Sequence, residues 1–509
     1  MDDDVPNVLV GSPLEPIARF GRWLEPQQAY VWTRYVVLRL LGVVYVFAFL
    51  GILFQGIPLL GAHGLTPVAA YVARLREGGI GFLDNPSLFL LDPSDTALRV
   101  WAVVGLALSI ALLAGYANLP SLLVLWFLYG SYERIGQTWF AFGWEIQILE
   151  TTLVCACLAH PWDPRPLRAP PPPLLAILLA RWLVFRIFLG SGLIKIRGDA
   201  CWRQLTCLDS HFETQPIPNP LSPLFHGLPH VVLAAGVVFN HVVELVLPWL
   251  AFGPRRARLV AVACMIAFQG MLILSGNLAF LNWLTLVPVL ALLDDGAIAW
   301  LIRRPAPAPQ PAGRGHRIWV ACFAALVAVK SIPVIENLVG PHQAMNRSYD
   351  RLELVNTYGA FGSVGPIRHE LVIEGTRDPD PDTARWSAYE LPCKPGDLAR
   401  RPCVLGPYHR RFDWLIWFAA MDDEPRDPWL FHFLVKLLEG DPTVRELVAV
   451  DPFDGAPPTF VRVRRFVYHL QPYGAAAWWA RDSEELWMKP FSLATPGVHE
   501  TMARFGWTD

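Results

Sequence analysis

The sequence contains few charged residues. Only 17% of its 509 residues are Asp, Glu, Lys or Arg, whereas soluble domains average roughly 25%. The formal net charge of -2 leaves no basic excess, which argues against a nucleic-acid partner. The sequence also lacks a nucleophile elbow, a Walker loop and a dinucleotide fingerprint, so it predicts no cofactor. With 53% hydrophobic residues, the composition instead indicates a protein that is integral to the lipid bilayer.

Long apolar runs fill the first two thirds of the sequence. A helix needs about 20 apolar residues to cross about 30 Å of hydrocarbon. Nine runs are candidates, at residues 31–54, 98–116, 119–132, 142–160, 174–195, 229–252, 257–275, 278–294 and 317–335. The run 119–132 is short and ends at Glu133 and Arg134, which leaves eight spans if it forms a re-entrant helix. The predicted fold class is therefore a polytopic α-helical transmembrane bundle.

After residue 336 the sequence is typical of a soluble, mainly β domain. The alternating strings ELVIEG and FVRVRRFVYHL are separated by DPDPD, KPGD and DGAPP, which predicts strands joined by turns. The stretch from Trp429 to Leu438 has a helical period instead. We therefore predict an inside N-terminal segment (1–30), a multi-span membrane domain (31–336) and a mainly β extracytoplasmic domain (337–509).

The loops differ in their content of basic residues, which predicts the orientation. With a cytoplasmic N-terminus, the inside segments carry eleven Lys or Arg residues and the outside loops carry six, as the positive-inside rule requires. The first apolar run is too long for the core of a cleavable signal peptide, so it is expected to remain as an anchor. Nine crossings then place the C-terminal domain in the lumen of the endoplasmic reticulum of a eukaryote, or in the periplasm beside the inner membrane of a bacterium.

Four of the eight cysteines lie outside the apolar runs. Cys201 and Cys207 share the loop after the fifth run, and Cys393 and Cys403 bracket a turn-forming segment. Both pairs fall on the predicted outer side, where disulfides form. Neither pair has CxxC spacing or a second pair at a metal-like interval. The sequence therefore favours two structural disulfides over metal binding or redox catalysis, and it predicts no metal.

Ionisable residues within the apolar runs are candidates for function, because charges are costly in a bilayer. Glu150 and Arg186 lie at similar depths and are expected to pair, more often for structure than for chemistry. His241 and Glu244 share a helix face, where a hydrogen-bonded pair is expected more often than a metal site. Lys195 ends the fifth run, and a long cationic side chain at that position commonly reaches out to the membrane interface.

The C-terminal part is rich in tryptophan. Trp414, Trp417 and Trp429 lie in its aromatic, helix-forming segment. Packing in a core or at the membrane interface is the commoner role of such rings, whereas the functional alternative is a surface that binds an apolar client. These three residues are the candidates for client binding.

A resemblance to the lipase maturation factor family is carried by six strings that occur in the same order, GLIKIRGDACWRQLTCLDSHFETQPIPNP, SGNLAFLNWLTLVPVLALLDD, NTYGAFGSV, CKPGD, RRPC and PYHRRFDWLIWFAA. The likeness runs from Trp32 to about Trp487, and the short loops and Ala/Arg/Pro-rich composition are similar to those of a bacterial homologue. The resemblance implies a membrane protein of the endoplasmic reticulum whose luminal domain helps secreted lipases reach their folded, active dimeric form. It implies a folding factor more than an enzyme, with the bilayer and a secreted lipase or other exported client as partners.

The membrane part has a second, more distant likeness. The apolar helix that ends at Lys195, followed by Asp199 and Trp202, is similar to the lysine region of vitamin K-dependent carboxylases. That likeness implies a membrane-embedded enzyme in which Lys195 acts as a base, because a desolvated lysine loses its proton more readily. The enzyme is the alternative to the maturation factor.

Overall fold

The structure is a computed structural model that describes residues 29–165, 167, 170–305 and 312–507. The predicted inside segment 1–30 lies almost entirely outside the described residues. The helices of the first part are α1 (Val31–Leu60), α2 (Val68–Glu77), α3 (Asp95–Ala114), α4 (Leu119–Ile135), α5 (Gly143–Leu158), α6 (Leu174–Arg197), α7 (Ala200–Gln204), α8 (Cys207–Thr214), α9 (Ser222–His226), α10 (His230–His241), α11 (Leu247–Leu250), α12 (Arg255–Ser275), α13 (Leu281–Leu290), α14 (Asp295–Ile302) and α15 (Arg314–Val339).

Six helices of the described chain are long and apolar enough to cross a bilayer. They are α1, α3, α6, α12, α15 and the continuous helix from α10 to α11. Helices α13 and α14 meet at 113° and add a seventh if they are counted as one broken span. The predicted transmembrane bundle is confirmed, with six or seven helices of spanning length where the sequence suggested eight or nine.

The two remaining runs form helices that are shorter than a full span. Run 119–132 lies in α4, which has 17 residues, and run 142–160 lies in α5, which has 16. In α5, every residue from Trp144 to Leu158 is buried. Since protein surrounds this helix, its length does not have to match the thickness of the hydrocarbon.

The helix that begins at His230 contains a π turn at Val242–Val246. Pro248 follows two residues later and has no N–H to donate to the carbonyl of Glu244, as an α-helix would require. A π turn adds a residue to one turn of the helix, which changes the direction of the neighbouring side chains. This local irregularity sets the position of Glu244.

The C-terminal part contains a four-stranded sheet in the order β2-β1-β3-β4, with every pair antiparallel. Its elements are β1 (Arg368–Thr376), β2 (Ser387–Ala388), α16 (Arg411–Met421), α17 (Pro428–Glu439), α18 (Pro442–Arg445), β3 (Phe460–Leu470), β4 (Trp479–Phe491) and α19 (Val498–Phe505). The two strings predicted as strands lie in β1 and β3, and the predicted helical stretch lies in α17. These predictions are confirmed.

The C-terminal part shares one hydrophobic core with the membrane helices. Trp139, between α4 and α5, packs against Trp429 and Phe412 with ring centroids 5.3 and 6.3 Å apart. Gln55 of α1 donates to the carbonyl of His409 at 2.7 Å and accepts from the backbone N–H of Arg411 at 2.9 Å. The composition changes near residue 336, but the packing is continuous, and the three-part division of the chain stays a prediction.

Two buried carboxylates on α5 hold this junction. Glu145 pairs with Arg411 of α16 at 2.7 Å, and Arg411 also donates to the carbonyl of Trp139 at 2.6 Å. Glu150 forms the predicted ion pair with Arg186 of α6. Helix α5 therefore forms one ion pair with the C-terminal part and one with the neighbouring span.

The Glu150–Arg186 pair is also bonded to the C-terminal part. Arg186 donates to the carbonyl of Asn356 at 2.7 Å, and Glu150 accepts from the Tyr358 hydroxyl at 2.7 Å and from the Asn356 backbone at 3.0 Å. These bonds satisfy charged groups that burial would otherwise make costly. The arrangement agrees with the structural interpretation of this pair.

Replacing Arg186 by Met leaves the Glu150 carboxylate buried without its cation, so we expect the free energy of unfolding to fall by about 3–5 kcal/mol. Thermal unfolding of the purified protein in mild detergent measures the change. The double variant Glu150→Met with Arg186→Met should recover much of the loss, because no lone charge remains. Arg165→Met removes a cation from an exposed pair with Asp163 and should leave the melting temperature unchanged. Equal melting temperatures for Arg186→Met and Arg165→Met would contradict this account.

Candidate functional site

A large cavity lies where the membrane helices meet the C-terminal part. Its volume is about 750 Å³, within the range of about 300–1,000 Å³ that is usual for small-molecule sites. Its walls come from α6, α10, α12 and α13, from the loop that contains α7 to α9, and from residues 358–369 and 414–421. Most of its lining is apolar or aromatic. We take this cavity as the candidate functional site.

The loop after α6 covers one side of the cavity. A disulfide joins Cys201 to Cys207 and ties α7 to α8, and a second joins Cys393 to Cys403 in the C-terminal part. Both predicted disulfides are confirmed. The indole of Trp202 donates to the carbonyl of Phe361 at 2.8 Å. The covalent tie and this bond together hold the loop against the C-terminal part.

Lys195 lies in the wall of the cavity, and the prediction that its side chain reaches out to the interface is wrong. The residue is only 5% exposed, and its ammonium contacts both carboxylate oxygens of Glu244, at 2.6 and 2.8 Å. It also lies 5.0 Å from the centre of the Trp202 ring. The disulfide-tied loop covers the end of α6, so the lysine binds a buried carboxylate in place of water.

His241 and Glu244 do not form the pair that their spacing predicts. His241 Nε2 lies 3.0 Å from the carbonyl of Trp202, whereas Glu244 binds Lys195. The π turn that begins at Val242 separates their directions, and the position of Pro248 was the available signal for it. Among the described residues, no group of three or more His, Cys, Asp or Glu side chains is arranged to hold a metal ion.

The tryptophans predicted to bind a client do not form an exposed surface. Trp414 and Trp429 are each 4% exposed, and Trp414 packs on Trp144 with ring centroids 5.2 Å apart. Trp417 is half-buried, lines the cavity and donates to the carbonyl of Thr214 at 2.9 Å. The prediction is wrong for Trp414 and Trp429, because these rings fill the space between the C-terminal part and the membrane helices.

Exposed apolar side chains surround the opening of the cavity. On the C-terminal part they are Ile367, Phe418 and Met421, of which the last two are 41% and 47% exposed. We call these three residues the rim. Sequence reasoning missed them, although Phe418 and Met421 follow Trp414 and Trp417 on the same face of α16 at helical spacing. Val232 of α10 and Met271 of α12 continue the exposed apolar lining on the membrane side.

The titratable groups of the cavity carry no excess charge. The ammonium of Lys195 and the carboxylate of Glu244 neutralise each other. Burial lowers the pKa of His211 to about 4, and the nearby Lys195 acts in the same direction, so this imidazole is neutral near pH 7. Burial also lowers the pKa of His369. The site therefore suits an apolar or uncharged occupant.

Comparison with known proteins agrees with the architecture. The model of the lipase maturation factor transmembrane domain matches residues 32–300, and that of the lipase maturation factor C-terminal domain matches residues 354–489. No solved structure matches the chain.

Curated relatives align with nearly the whole chain. It is 42% identical to Lipase maturation factor 1 of Bos taurus, over 93% of this chain and 91% of the relative, and 39% identical to that of Homo sapiens, over 91% and 88%. Lipase maturation factor 2 of Homo sapiens is 27% identical over 93% of this chain and 84% of its own length. The chain belongs to the lipase maturation factor family.

Proposed function

We propose that this integral membrane protein is a maturation factor for secreted lipases. The observation that carries the proposal is its 39–42% identity to proteins named Lipase maturation factor 1, which extends over about nine tenths of the chain. The alignment includes both the membrane helices and the C-terminal part. The specific client is a secreted lipase or another exported protein that exposes apolar surface while it folds.

The rim is the proposed contact for the client. Ile367, Phe418 and Met421 are exposed although they are apolar, and Phe418 and Met421 belong to α16, which Arg411 fixes to α5. A folding lipase also exposes apolar surface, and a rigid apolar patch that covers it suppresses aggregation. Trp414 and Trp429 do not offer such a contact, because their rings are buried.

The double variant Phe418→Glu with Met421→Glu places two charges on the rim, and we expect it to lower the yield of active lipase about tenfold. The physical reason is that a client would have to desolvate these charges on contact. The measurement is lipase activity in the medium of cells that lack their own maturation factor and express the client together with the variant.

The matched control is Tyr473→Glu, which adds a charge at an exposed aromatic residue outside the cavity lining. It should leave the yield unchanged. The amount of each variant in the membrane is measured in parallel, so that loss of the factor is distinguished from loss of client contact. Equal yields for the rim variant and the control would refute the rim as the client contact.

The proposed orientation has a cytoplasmic N-terminus and a C-terminal part in the lumen of the endoplasmic reticulum or in the periplasm. It requires an odd number of crossings, as with the seven spans obtained when α13 and α14 count as one. The excess of Arg in the inside segments supports it. So do the two disulfides, which require an oxidising compartment on the side of the C-terminal part.

A single cysteine introduced on each predicted side tests the orientation. Tyr473→Cys should react with a membrane-impermeant maleimide only when the outer compartment is accessible, whereas Arg165→Cys should react only from the cytoplasmic side. Labelling of intact and permeabilised membranes, followed by gel shift, gives the answer. The opposite pattern would overturn the orientation.

The second candidate function is an enzyme with Lys195 as base. The observation that favours it is the position of the lysine in the wall of a cavity of ligand size. Its tight pairing with Glu244 favours a structural role instead, because both carboxylate oxygens of Glu244 already contact the Lys195 Nζ atom.

Lys195→Arg separates these two candidates. Arginine keeps the positive charge beside Glu244 but does not lose its proton in proteins. If Lys195 has a structural role in a maturation factor, the variant should give nearly full lipase yield. If Lys195 is the base of an enzyme, the variant should give none. Lys195→Met is the matched comparison, because it leaves Glu244 buried and unpaired and should lower the amount of folded protein. Loss of function in Lys195→Arg at a normal protein level would favour the enzyme.

A further inference from the structure

The cavity has one wall that differs from the others in chemistry. The polar wall consists of Lys195, Glu244, Asn240 and His211, all lining the cavity and all at least nine-tenths buried. Asn240 and Glu244 belong to the same membrane-spanning helix, while His211 lies on the disulfide-tied loop above it. The remainder of the lining is largely aromatic and aliphatic. The cavity is therefore amphipathic, with the charged pair Lys195 and Glu244 grouped in one region of a mostly apolar chamber.

Among the described residues, the other side-chain amides that line the cavity have hydrogen-bond partners, whereas the indole nitrogens of Trp144 and Trp414 do not. Gln147 donates to Thr285 at 3.1 Å, and Asn282 donates to Gln269 at 2.7 Å. Asn240 differs from these, since neither its amide nitrogen nor its amide oxygen has a hydrogen-bond partner among the residues that the structure describes. A buried amide without partners is costly. A ligand with both a hydrogen-bond donor and an acceptor would remove that cost.

The charges of the polar wall define the class of ligand. The Lys195 ammonium is already bound by both oxygens of Glu244, so it offers little to a phosphate or carboxylate head group. Glu244 is equally occupied, which disfavours a cationic head group. Neutral His211 supplies one ring nitrogen that donates and one that accepts. Hydroxyl and ester groups match this set of partners, since they combine acceptor oxygens with O–H donors.

The cavity meets the hydrocarbon side of the protein. Val232 of α10 and Met271 of α12 are exposed side chains of membrane-spanning helices, and both line the cavity. Further along the same two helices, Phe239 and Phe268 pack together with ring centroids 6.2 Å apart. The two helices thus contact each other through these rings. Their exposed lining residues, Val232 and Met271, lie nearer the helix ends that face the C-terminal part. An acyl chain could enter here from the bilayer.

We infer that the cavity binds a neutral lipid of the acylglycerol class, with its hydroxyl or ester groups on the polar wall and its acyl chain in the apolar chamber. The inference is independent of the proposed function, because it rests on the cavity alone. The chamber is of small-molecule size, which suits one lipid better than a folded client.

The test uses the full-length protein purified in mild detergent. A photoactivatable monoacylglycerol is added, crosslinked and quantified, and the labelled peptides are identified by mass spectrometry. We expect labelling of peptides from α10 and α12, together with co-purified neutral lipid in an organic extract. Competition by unlabelled diacylglycerol but not by phosphatidic acid is the expected specificity, and equal competition by phosphatidic acid would overturn the neutral class.

Two variants on one helix provide the matched comparison. Leu272→Trp fills the chamber and should reduce crosslinking at least tenfold, whereas Leu274→Trp adds the same side chain at an exposed position outside the lining and should not.

Asn240→Leu tests the polar wall. It keeps a similar volume without the amide, and a loss of about tenfold in affinity is expected from one lost hydrogen-bonding group. Melting temperatures show whether each variant is folded. Two results would refute the inference. One is equal crosslinking of the lipid probe to wild type and to folded Leu272→Trp, and the other is occupation of the cavity by apolar client peptides in place of the lipid probe.

Discussion

A charge buried in an apolar interior must have an opposite charge beside it, and this requirement holds the two parts of the protein together. Glu145 and Glu150 are both on α5, a helix surrounded by protein. The cation for Glu145 is Arg411, from the C-terminal part, and the cation for Glu150 is Arg186, whose guanidinium also donates to Asn356. Either carboxylate would be strongly destabilising alone. Folding of the membrane helices and docking of the C-terminal part are therefore linked.

The fixed junction explains where the cavity lies and what it contains. Helix α16 carries Arg411 at one end and the rim residues Phe418 and Met421 at the other, so the ion pair with α5 also positions the opening of the cavity. On the opposite side, the disulfide-tied loop covers Lys195 and keeps water from it. The Lys195–Glu244 pair follows from this burial, because a covered lysine needs a carboxylate.

A membrane protein that exposes apolar surface has to avoid aggregating itself. Here tryptophans of the C-terminal part such as Trp414 and Trp429 are used for packing, whereas the small rim stays exposed. The rim lies next to membrane helices that have exposed apolar residues of their own. Such a patch lies close to the membrane helices. The neutral lipid inferred for the cavity would fill the chamber beneath the rim, which gives the two proposals one location but separate chemistry.

Composition and local pattern were enough to determine most of the membrane-spanning helices, the strands β1 and β3, the helix α17 and both disulfides, because each depends on residues close together in the chain. The family followed from the resemblance of six long strings in the same order. The pairing of Glu150 with Arg186 was also predictable, since helical rise gives depth. Sequence patterns did not predict the partner of Lys195 or the separation of His241 from Glu244. Both depend on a π turn and on contacts between residues tens of positions apart. The sequence by itself determined which segments enter the membrane; only the tertiary structure decided which of their polar groups meet, since that depends on how helices rotate and pack against the C-terminal part.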